Sequence, residues 1–518
     1  MNVALAQIKG FLGNFRETRK QIIQLIKDAD GKADFILFPE GGLFGYPPTD
    51  FIRNPDFLKK QNREIKKIQN QIPPGLNILL GGFFAEKQHL FNGVVLLRKG
   101  NPPLFFKKQF LSNTDVFRES RYFNQGSLKK NFFRWKGNRI QILICEDIFH
   151  NPQFPKSDIL FCLNSSPYTE DKSLKRFHAV KQLTQKHKCP AVYVNRVGGQ
   201  GSLIFDGGSF VLNSTGTLKT QCHFFEPDFQ IVSLFSKNKK RAISPPPSLP
   251  KQREKALILG LQDFCKQTGF EKAHLGLSGG MDSAVVCYLA VQALGAKNVI
   301  GFFLPGPFTT NLSRELAEKI ATTLNISLKE QNISPIYKMM LTTLFSKKSP
   351  ENPVTKQNLQ ARIRALVLTA FGNETKSLLL GTGNKSELAC GYSTLYGDLC
   401  GGLLPIGDLY KTEVYELARS INKTFPVFPK QLLLRAPSAE LSSKQKDSDD
   451  LPPYKILDPI LKKLLNKKSP HSAKEKEIFH KIFSNEFKRK QAPPLLKISE
   501  TSFGEEWKFP IAHKFLTD

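Results

Sequence analysis

The sequence predicts a two-domain α/β fold, on three observations. Before residue 236, short apolar runs ending in Gly, Pro or acidic residues alternate with longer amphipathic stretches. After residue 251 the order runs helix, strand, Gly-rich loop, helix, strand, helix, which is the rhythm of a doubly wound parallel sheet. Between them lies Ser236–Lys251, SKNKKRAISPPPSLPK, a basic, Pro-rich and apolar-poor segment expected to be extended. A chain of 518 residues also exceeds one ordinary core. The expected division is 1–240 for the first domain, 241–255 for a linker and 256–518 for the second.

Composition narrows the class. Apolar residues make up 40% of the chain, as in globular enzymes, and no apolar run reaches the roughly 18–20 residues of a membrane span. The start, Met1–Ile8, is too short and too uncharged for a signal peptide and reads as a first strand, so a cytoplasmic protein with no membrane partner is expected. Net charge is +30, from 75 Lys+Arg against 45 Asp+Glu. The lysines are spread out with no dense tract or stacking motif, which favours small polyanionic nucleotides over nucleic acid as partners. Eight cysteines without a Cys-x-x-Cys pair indicate neither zinc nor a disulfide framework, and a reducing compartment suits them.

In the first half, three strands end on a reactive side chain. Ala33–Glu40 delivers Glu40, Phe105–Leu111 delivers Lys108, and Arg139–Asp147 delivers Cys145. A lone strand-end cysteine is usually an inert buried thiol. The three segments together resemble the Glu-Lys-Cys triad of the nitrilase superfamily, which hydrolyses carbon–nitrogen bonds through a thioester. The resemblance implies that Glu40 takes the thiol proton, Cys145 attacks and Lys108 faces the oxyanion, and the chemistry needs those residue types. Supporting motifs are Tyr46 in Gly45–Pro48, Glu119 in Phe117–Phe123, Asn164–Tyr168, Tyr193–Gln200 and Phe205–Ser209.

That resemblance implies a four-layer α-β-β-α sandwich with Thr114, Ser166 and Lys172 at a glutamine site. The chain departs from the glutaminase pattern at Leu111–Glu119. Thr114 stands where the family has a glutamine-contacting tyrosine, and Arg118 replaces an acidic residue. Weaker glutamine binding or coupling is therefore expected.

In the second half, His274–Ala284 pairs a short apolar strand with a Gly-rich turn bracketed by Ser278, Asp282 and Ser283, then opens an apolar helix. Glycines let backbone amides approach a pyrophosphate, and a helix start presents amide donors. The Gly-Lys-Ser/Thr element of a Walker A loop is missing. The loop instead resembles that of ATP pyrophosphatases, which split ATP into AMP and pyrophosphate to adenylate a substrate. Asn358–Arg364 places polar groups at helical spacing, and Leu378–Glu387 is a second strand emptying into a polar loop. Tyr392–Asp398, Pro405–Thr412, Arg435–Leu441, Leu451–Asp458 and Lys488–Pro494 come next, with a polar run at Ser442–Asp450 expected to be a mobile loop.

Together these segments resemble the glutamine-dependent NAD+ synthetase family over nearly the full chain. The resemblance implies that Gly276, Leu277, Ser278, Gly279, Gly280, Met281, Asp282 and Ser283 hold the phosphates of ATP, the co-substrate, with Thr382 and Lys411 also on ATP. It implies that Asn358, Glu387, Asp398 and Lys488 contact deamido-NAD+, and that Asp282 and Glu387 hold Mg2+. It further implies small-molecule substrates (deamido-NAD+, ATP, L-glutamine or ammonia), an internal path for ammonia and a homo-oligomer. Two other classes fit parts of the chain: a tRNA-thiolating pyrophosphatase using Cys287, Cys390 or Cys400, and a nucleic-acid binder suggested by the charge.

Overall fold

The computed structural model describes residues 1–114, 116–236, 246–345, 350–438, 440–442, 447–466, 468–504 and 506–511. The chain forms two compact units, Met1–Pro247 and Ser248–Asp518.

In the first unit the elements are β1 (Asn2–Gln7), α1 (Phe15–Ala29), β2 (Phe35–Leu37), α2 (Phe57–Gln69), β3 (Asn77–Glu86), β4 (His89–Leu97), β5 (Leu104–Lys107), β6 (Phe132–Trp135), β7 (Asn138–Ile144), β8 (Ile159–Asn164), α3 (Lys172–His187), β9 (Ala191–Asn195), β10 (Val197–Gln200), β11 (Leu203–Asp206), β12 (Phe210–Leu212), β13 (Leu218–Gln221) and β14 (Asp228–Ser233). They build two six-stranded sheets, ordered β14-β1-β2-β3-β4-β5 and β13-β12-β9-β8-β7-β6, and a β10-β11 hairpin.

Burial on both faces explains the near-continuous apolar runs. Leu5, Leu37 and Leu79 of one sheet meet Ile142, Ile144 and Phe161 of the other in an inter-sheet core. The opposite face of the first sheet packs Ala4, Ile36 and Ile78 on Ile22 and Ile26 of α1 and Ile65 and Ile68 of α2. The opposite face of the second packs Leu143 and Leu160 on Val180 and Leu183 of α3. The result is the predicted α-β-β-α sandwich. Parallel β7 and β8 pair Ile144 with Leu163. A one-residue slip would send Ile142 and Ile144 out of the inter-sheet core, so packing fixes where Cys145 emerges.

The second unit contains α4 (Leu249–Thr268), β15 (Ala273–Gly276), α5 (Met281–Leu294), β16 (Val299–Phe303), α6 (Asn311–Thr323), β17 (Ser327–Glu330), α7 (Ser334–Phe345), α8 (Pro353–Thr375), β18 (Leu378–Leu379), α9 (Lys385–Cys390), α10 (Lys411–Thr424), α11 (Lys430–Leu434), α12 (Tyr454–Leu465), α13 (Ala473–Ser484) and α14 (Glu486–Arg489). Its parallel sheet has the order β17-β16-β15-β18. The order reverses at β15, so right-handed crossovers place α5 and α6 on one face and α8 on the other. A ligand crevice belongs outside the carboxyl ends of β15 and β18 at that reversal.

Two expectations are modified. The extended segment is shorter than 241–255, because α4 begins at Leu249 with Pro250 in its first turn, where a missing N–H costs nothing; residues 241–245 lie outside the described residues. The polar run at 442–450 is not uniformly exposed. Asp447–Asp449 forms a 3-10 turn with Asp447 buried, while 443–446 lie outside the described residues. Among the described residues no helix is long and apolar enough to cross a membrane.

Candidate functional site

The first unit gathers the three strand-end residues. Cys145 comes directly after β7 at φ +46°, a left-handed conformation that side-chain-bearing residues disfavour. Asp147 holds that turn: it accepts the Ile144 amide at 2.9 Å, the Gln109 amide at 3.1 Å and the Phe110 amide at 2.9 Å. One buried carboxyl thus ties the Cys145 turn to the chain leaving Lys108. Burial pushes Asp147 up to about 7, against the pull of those amides.

Glu40 and Lys108 are fully buried and joined at 2.9 Å. Lys108 Nζ also lies 2.8 Å from Glu119 Oε2. Asn92 donates to Glu40 and to Glu119, each at 2.7 Å, and the Tyr46 hydroxyl donates to Glu119 at 2.5 Å. The other Glu40 oxygen accepts the Ser165 amide at 3.1 Å. Glu40, Lys108 and Glu119 thus each have an opposite charge and further partners, as burial requires.

Burial and the nearby Glu40 raise the Cys145 thiol well above its ordinary value, with Lys108 opposing, so the resting group is a thiol. Burial also raises Glu40, with Lys108 opposing and Glu119 adding to the rise. Lys108 is held well above its ordinary value because Glu119 and Glu40 outweigh the burial that would lower it. A protonated thiol beside an elevated carboxylate and a fixed cation is an arrangement that can start acyl transfer.

Above this cluster is a cavity of about 270 Å³, lined by Lys108, Cys145, Thr114, Ser166, Lys172 and Glu146, among others. It collects five of the six first-half residues singled out in the sequence; Glu40 lies behind Lys108 and does not line it. Thr114 and Arg118 are both exposed.

In the second unit a cavity of about 300 Å³ lies where the strand order reverses. Its lining includes Ser278, Gly280, Asp282, Thr382, Glu387 and Lys411. Gly276, Met281, Ser283 and Asp398 also line it, while Leu277 is buried in the core and Gly279 turns away. Gly279 has φ +77°, and a Cβ there would meet the Ser313 carbonyl oxygen at 2.2 Å. Only glycine fits.

Lys411 opens α10 and ion-pairs with Asp282, and with Glu387 at 3.4 Å. Glu387 also caps α9, accepting the Asn384 amide at 3.2 Å while Asn384 accepts the Glu387 amide at 3.0 Å. Asp458 joins the two helix starts, accepting Ser386 Oγ at 2.6 Å and the Thr412 amide at 2.8 Å. Burial pushes Glu387 up to about 8; Lys411 opposes this, and Asp282 and Asp447 add to it. Asp282 Oδ1 is buried without a hydrogen-bond partner. The orphaned oxygen of Asp282, with Glu387 on the same lysine, suits a divalent cation, which accepts hard oxygen ligands.

Asn358, Asp398 and Lys488 surround the loop at 391–398. Thr394 donates its hydroxyl to Asn358 at 2.7 Å and its amide to Asp398 at 2.5 Å, while Lys488 donates to the Gly391 carbonyl at 2.6 Å and the Ser393 carbonyl at 2.9 Å. Sequence reasoning missed Asn92, Asp147 and Asp447 as members of these clusters. Asn92 carried a signal, a lone amide inside the apolar strand HLFNGVVLL. Asp447 carried none.

The fold and the two clusters define an enzyme class: a carbon–nitrogen hydrolase unit joined to a nucleotide-activating unit. Residues 2–237 match the carbon-nitrogen hydrolase family and 254–492 match the NAD synthase family. The glutamine-dependent NAD(+) synthetase of Synechocystis sp. is 38% identical, covering 99% of each chain. That of Aquifex aeolicus is 36% identical, covering 99% of this chain and 100% of its own. A solved glutamine-dependent NAD+ synthetase from Acinetobacter baumannii, in complex with ADP, is 31% identical with TM-score 0.79, covering 98% of each chain. One from Cytophaga hutchinsonii shares the fold at TM-score 0.85 and 19% identity, covering 99% of this chain and 98% of its own. The chain belongs to the glutamine-dependent NAD+ synthetases, ligases that amidate deamido-NAD+ to NAD+.

Proposed function

We propose that the chain performs this amidation at two separate sites, with residues 1–240 releasing ammonia from glutamine and 256–518 using it. The observation that carries the reading is a pair of lined cavities: Lys108, Thr114, Cys145, Ser166 and Lys172 line one, and Ser278, Asp282, Thr382, Glu387, Asp398 and Lys411 line the other, while Glu40, Asn358 and Lys488 lie outside the linings.

In the first, Glu40 takes the Cys145 proton as sulfur attacks the glutamine side-chain carbonyl, and Lys108 meets the charge on the oxyanion. Collapse expels ammonia, which takes the proton back from Glu40. Water, deprotonated by Glu40, then cleaves the thioester to glutamate and restores the thiol. Thr114, Ser166 and Lys172 hold the glutamine backbone groups.

In the second, ATP lies along Gly276–Ser283 with Thr382. The nicotinate carboxylate of deamido-NAD+ attacks the α-phosphorus, and pyrophosphate leaves. Ammonia attacks the resulting acyl adenylate, giving NAD+ and AMP. Lys411 faces the charge that builds on the phosphates. Asn358, Glu387, Asp398 and Lys488 hold deamido-NAD+. Mg2+, held by Asp282 and Glu387, supplies neutralisation of the ATP phosphates when bound.

A homo-oligomer is supported by exposed apolar side chains on α7 and α8: Met339, Leu344, Val354 and Leu366 are each at least 50% exposed. Light scattering on the full chain checks it, and a monomer would contradict it. The cytoplasm is the compartment that keeps Cys145 a thiol.

A two-donor assay with deamido-NAD+ and Mg·ATP tests the reading. Cys145→Ala is expected to abolish NAD+ formation from glutamine and spare that from ammonium, whereas Asp282→Ala abolishes both. Full glutamine-driven activity in Cys145→Ala would contradict the triad, and full ammonium-driven activity in Asp282→Ala would contradict the metal role.

A further inference from the structure

The motif Tyr193–Gln200 has no part in the chemistry above, yet it grips two of the segments that carry the first site, the Glu40–Tyr46 turn and the Ser165–Ser166 loop. Arg196, at the junction of β9 and β10, is 1% exposed. It donates through Nη2 to the Gly41 carbonyl at 2.9 Å, through Nε to Ser165 Oγ at 3.3 Å and through Nη1 to Gln200 Oε1 at 3.3 Å. Among the described residues it has no carboxylate within ion-pair distance.

Its partners lead to one group. Ser165 donates its hydroxyl to the Glu40 carbonyl at 2.6 Å and its amide to Glu40 Oε2 at 3.1 Å. Gly41 is the residue after Glu40. Gln200 Oε1 also accepts the Tyr46 amide at 3.0 Å. The neighbouring Asn195 accepts the Ser166 amide at 2.9 Å and donates to the Ser166 carbonyl at 3.1 Å.

A buried guanidinium spending its donors on a carbonyl, a hydroxyl and an amide oxygen is costly unless a charge nearby compensates. We propose that Arg196 is a positioning residue for the glutaminase half-reaction, holding the Glu40 turn and the Ser165 loop as one piece and favouring the ionised form of Glu40. The inference rests on the reading of Glu40 as the base. Burial lowers Arg196 to about 10, and the field of Glu40 opposes that fall, so the two groups sense each other.

The charged or titratable groups facing Glu40 are then Lys108 after β5, Glu119 in the loop beyond it, Tyr46, Cys145 after β7, and Arg196. Arg196 lies outside the lining of the cavity, so glutamine affinity is not its business. A cation near Glu40 favours the carboxylate, the form that accepts the thiol proton. Removing it raises Glu40 and moves the acid limb of glutaminase activity to higher pH.

Arg196→Met, Arg196→Lys and Ser165→Ala in the full chain test this, with Glu40→Gln as control and ammonium-driven synthesis as the measure of intact fold. Arg196→Met is expected to lower glutaminase kcat roughly 10- to 100-fold at nearly constant glutamine KM, with the acid limb moved to higher pH. Arg196→Lys restores the limb and only part of kcat, since an ammonium cannot span Gly41 and Ser165 as the planar fork does. Ser165→Ala lowers kcat in the same direction and decides the matter with Arg196→Lys if Arg196→Met does not fold. Unchanged kcat and limb in Arg196→Met and Ser165→Ala, or a loss without a limb shift in Arg196→Met, would overturn the proposal. Glutamine turnover by Glu40→Gln would instead overturn the base assignment.

Discussion

Around Lys108 two carboxylates, Glu40 and Glu119, are buried with their oxygens occupied by the lysine, Asn92, Tyr46 and backbone amides. Around Lys411 the carboxylates of Asp282, Glu387 and Asp447 outnumber the cation, and Asp282 keeps a buried oxygen without a partner. In the first cluster every carboxylate oxygen has a partner before anything binds; in the second a carboxylate oxygen of Asp282 is left without one beside an open glycine loop. The contrast arises from the substrates proposed for each. Glutamine is net neutral and brings no counter-charge, so its site must bring its own preorganised machinery. ATP arrives as a polyanion with a divalent cation, and a site complementary to that pair keeps a carboxylate oxygen available for the cation.

The contrast can be broken most sharply at Glu119. Glu119→Ala leaves the Tyr46 hydroxyl and the Ser112 amide without an acceptor and Lys108 with Glu40 alone, so calorimetry of the full chain is expected to show the first unit losing about 1–3 kcal/mol. Glutaminase activity should fall more than about 100-fold, with ammonium-driven synthesis unaffected wherever the fold persists. An unchanged melting transition would mean that Glu119 does not hold the cluster together.

A smaller effect is expected at Gly279, where the second site depends on backbone shape. Gly279→Ala places a methyl against the Ser313 carbonyl and should raise the KM for ATP by about 10-fold or more while leaving glutamine hydrolysis untouched. An unchanged KM would show that the loop yields easily. The smallest change is at the mouth of the first cavity. Thr114→Tyr should lower the glutamine KM a few-fold, about 0.5–1 kcal/mol of added contact. No change in KM or in coupling would remove Thr114 as the cause of weaker glutamine use.

Much of this contrast was legible in the sequence, for a physical reason. Glu40, Lys108 and Cys145 each end an apolar strand, and a strand end in an α/β sheet is where a side chain meets a cavity. The Gly276–Ser283 turn was legible because glycines, hydroxyls and a helix start advertise an anion site locally. What stayed hidden depends on pairing across long separations. Nothing near Asp147 says that its carboxyl will cap the chain leaving Lys108, and nothing in a polar run says that Asp447 folds inward. Pro250 misled in the opposite direction. A proline reads as linker, yet the amphipathic residues after it place it in the first turn of α4.

Isotope tracing tests the central claim most directly, that nitrogen freed at Cys145 is the nitrogen joined at the nucleotide site. With glutamine carrying 15N in its side-chain amide and unlabelled ammonium present, the wild-type chain is expected to yield 15N-labelled NAD+. Cys145→Ala under the same conditions should yield only unlabelled NAD+, at the ammonium-driven rate. Labelled NAD+ from Cys145→Ala would contradict the account.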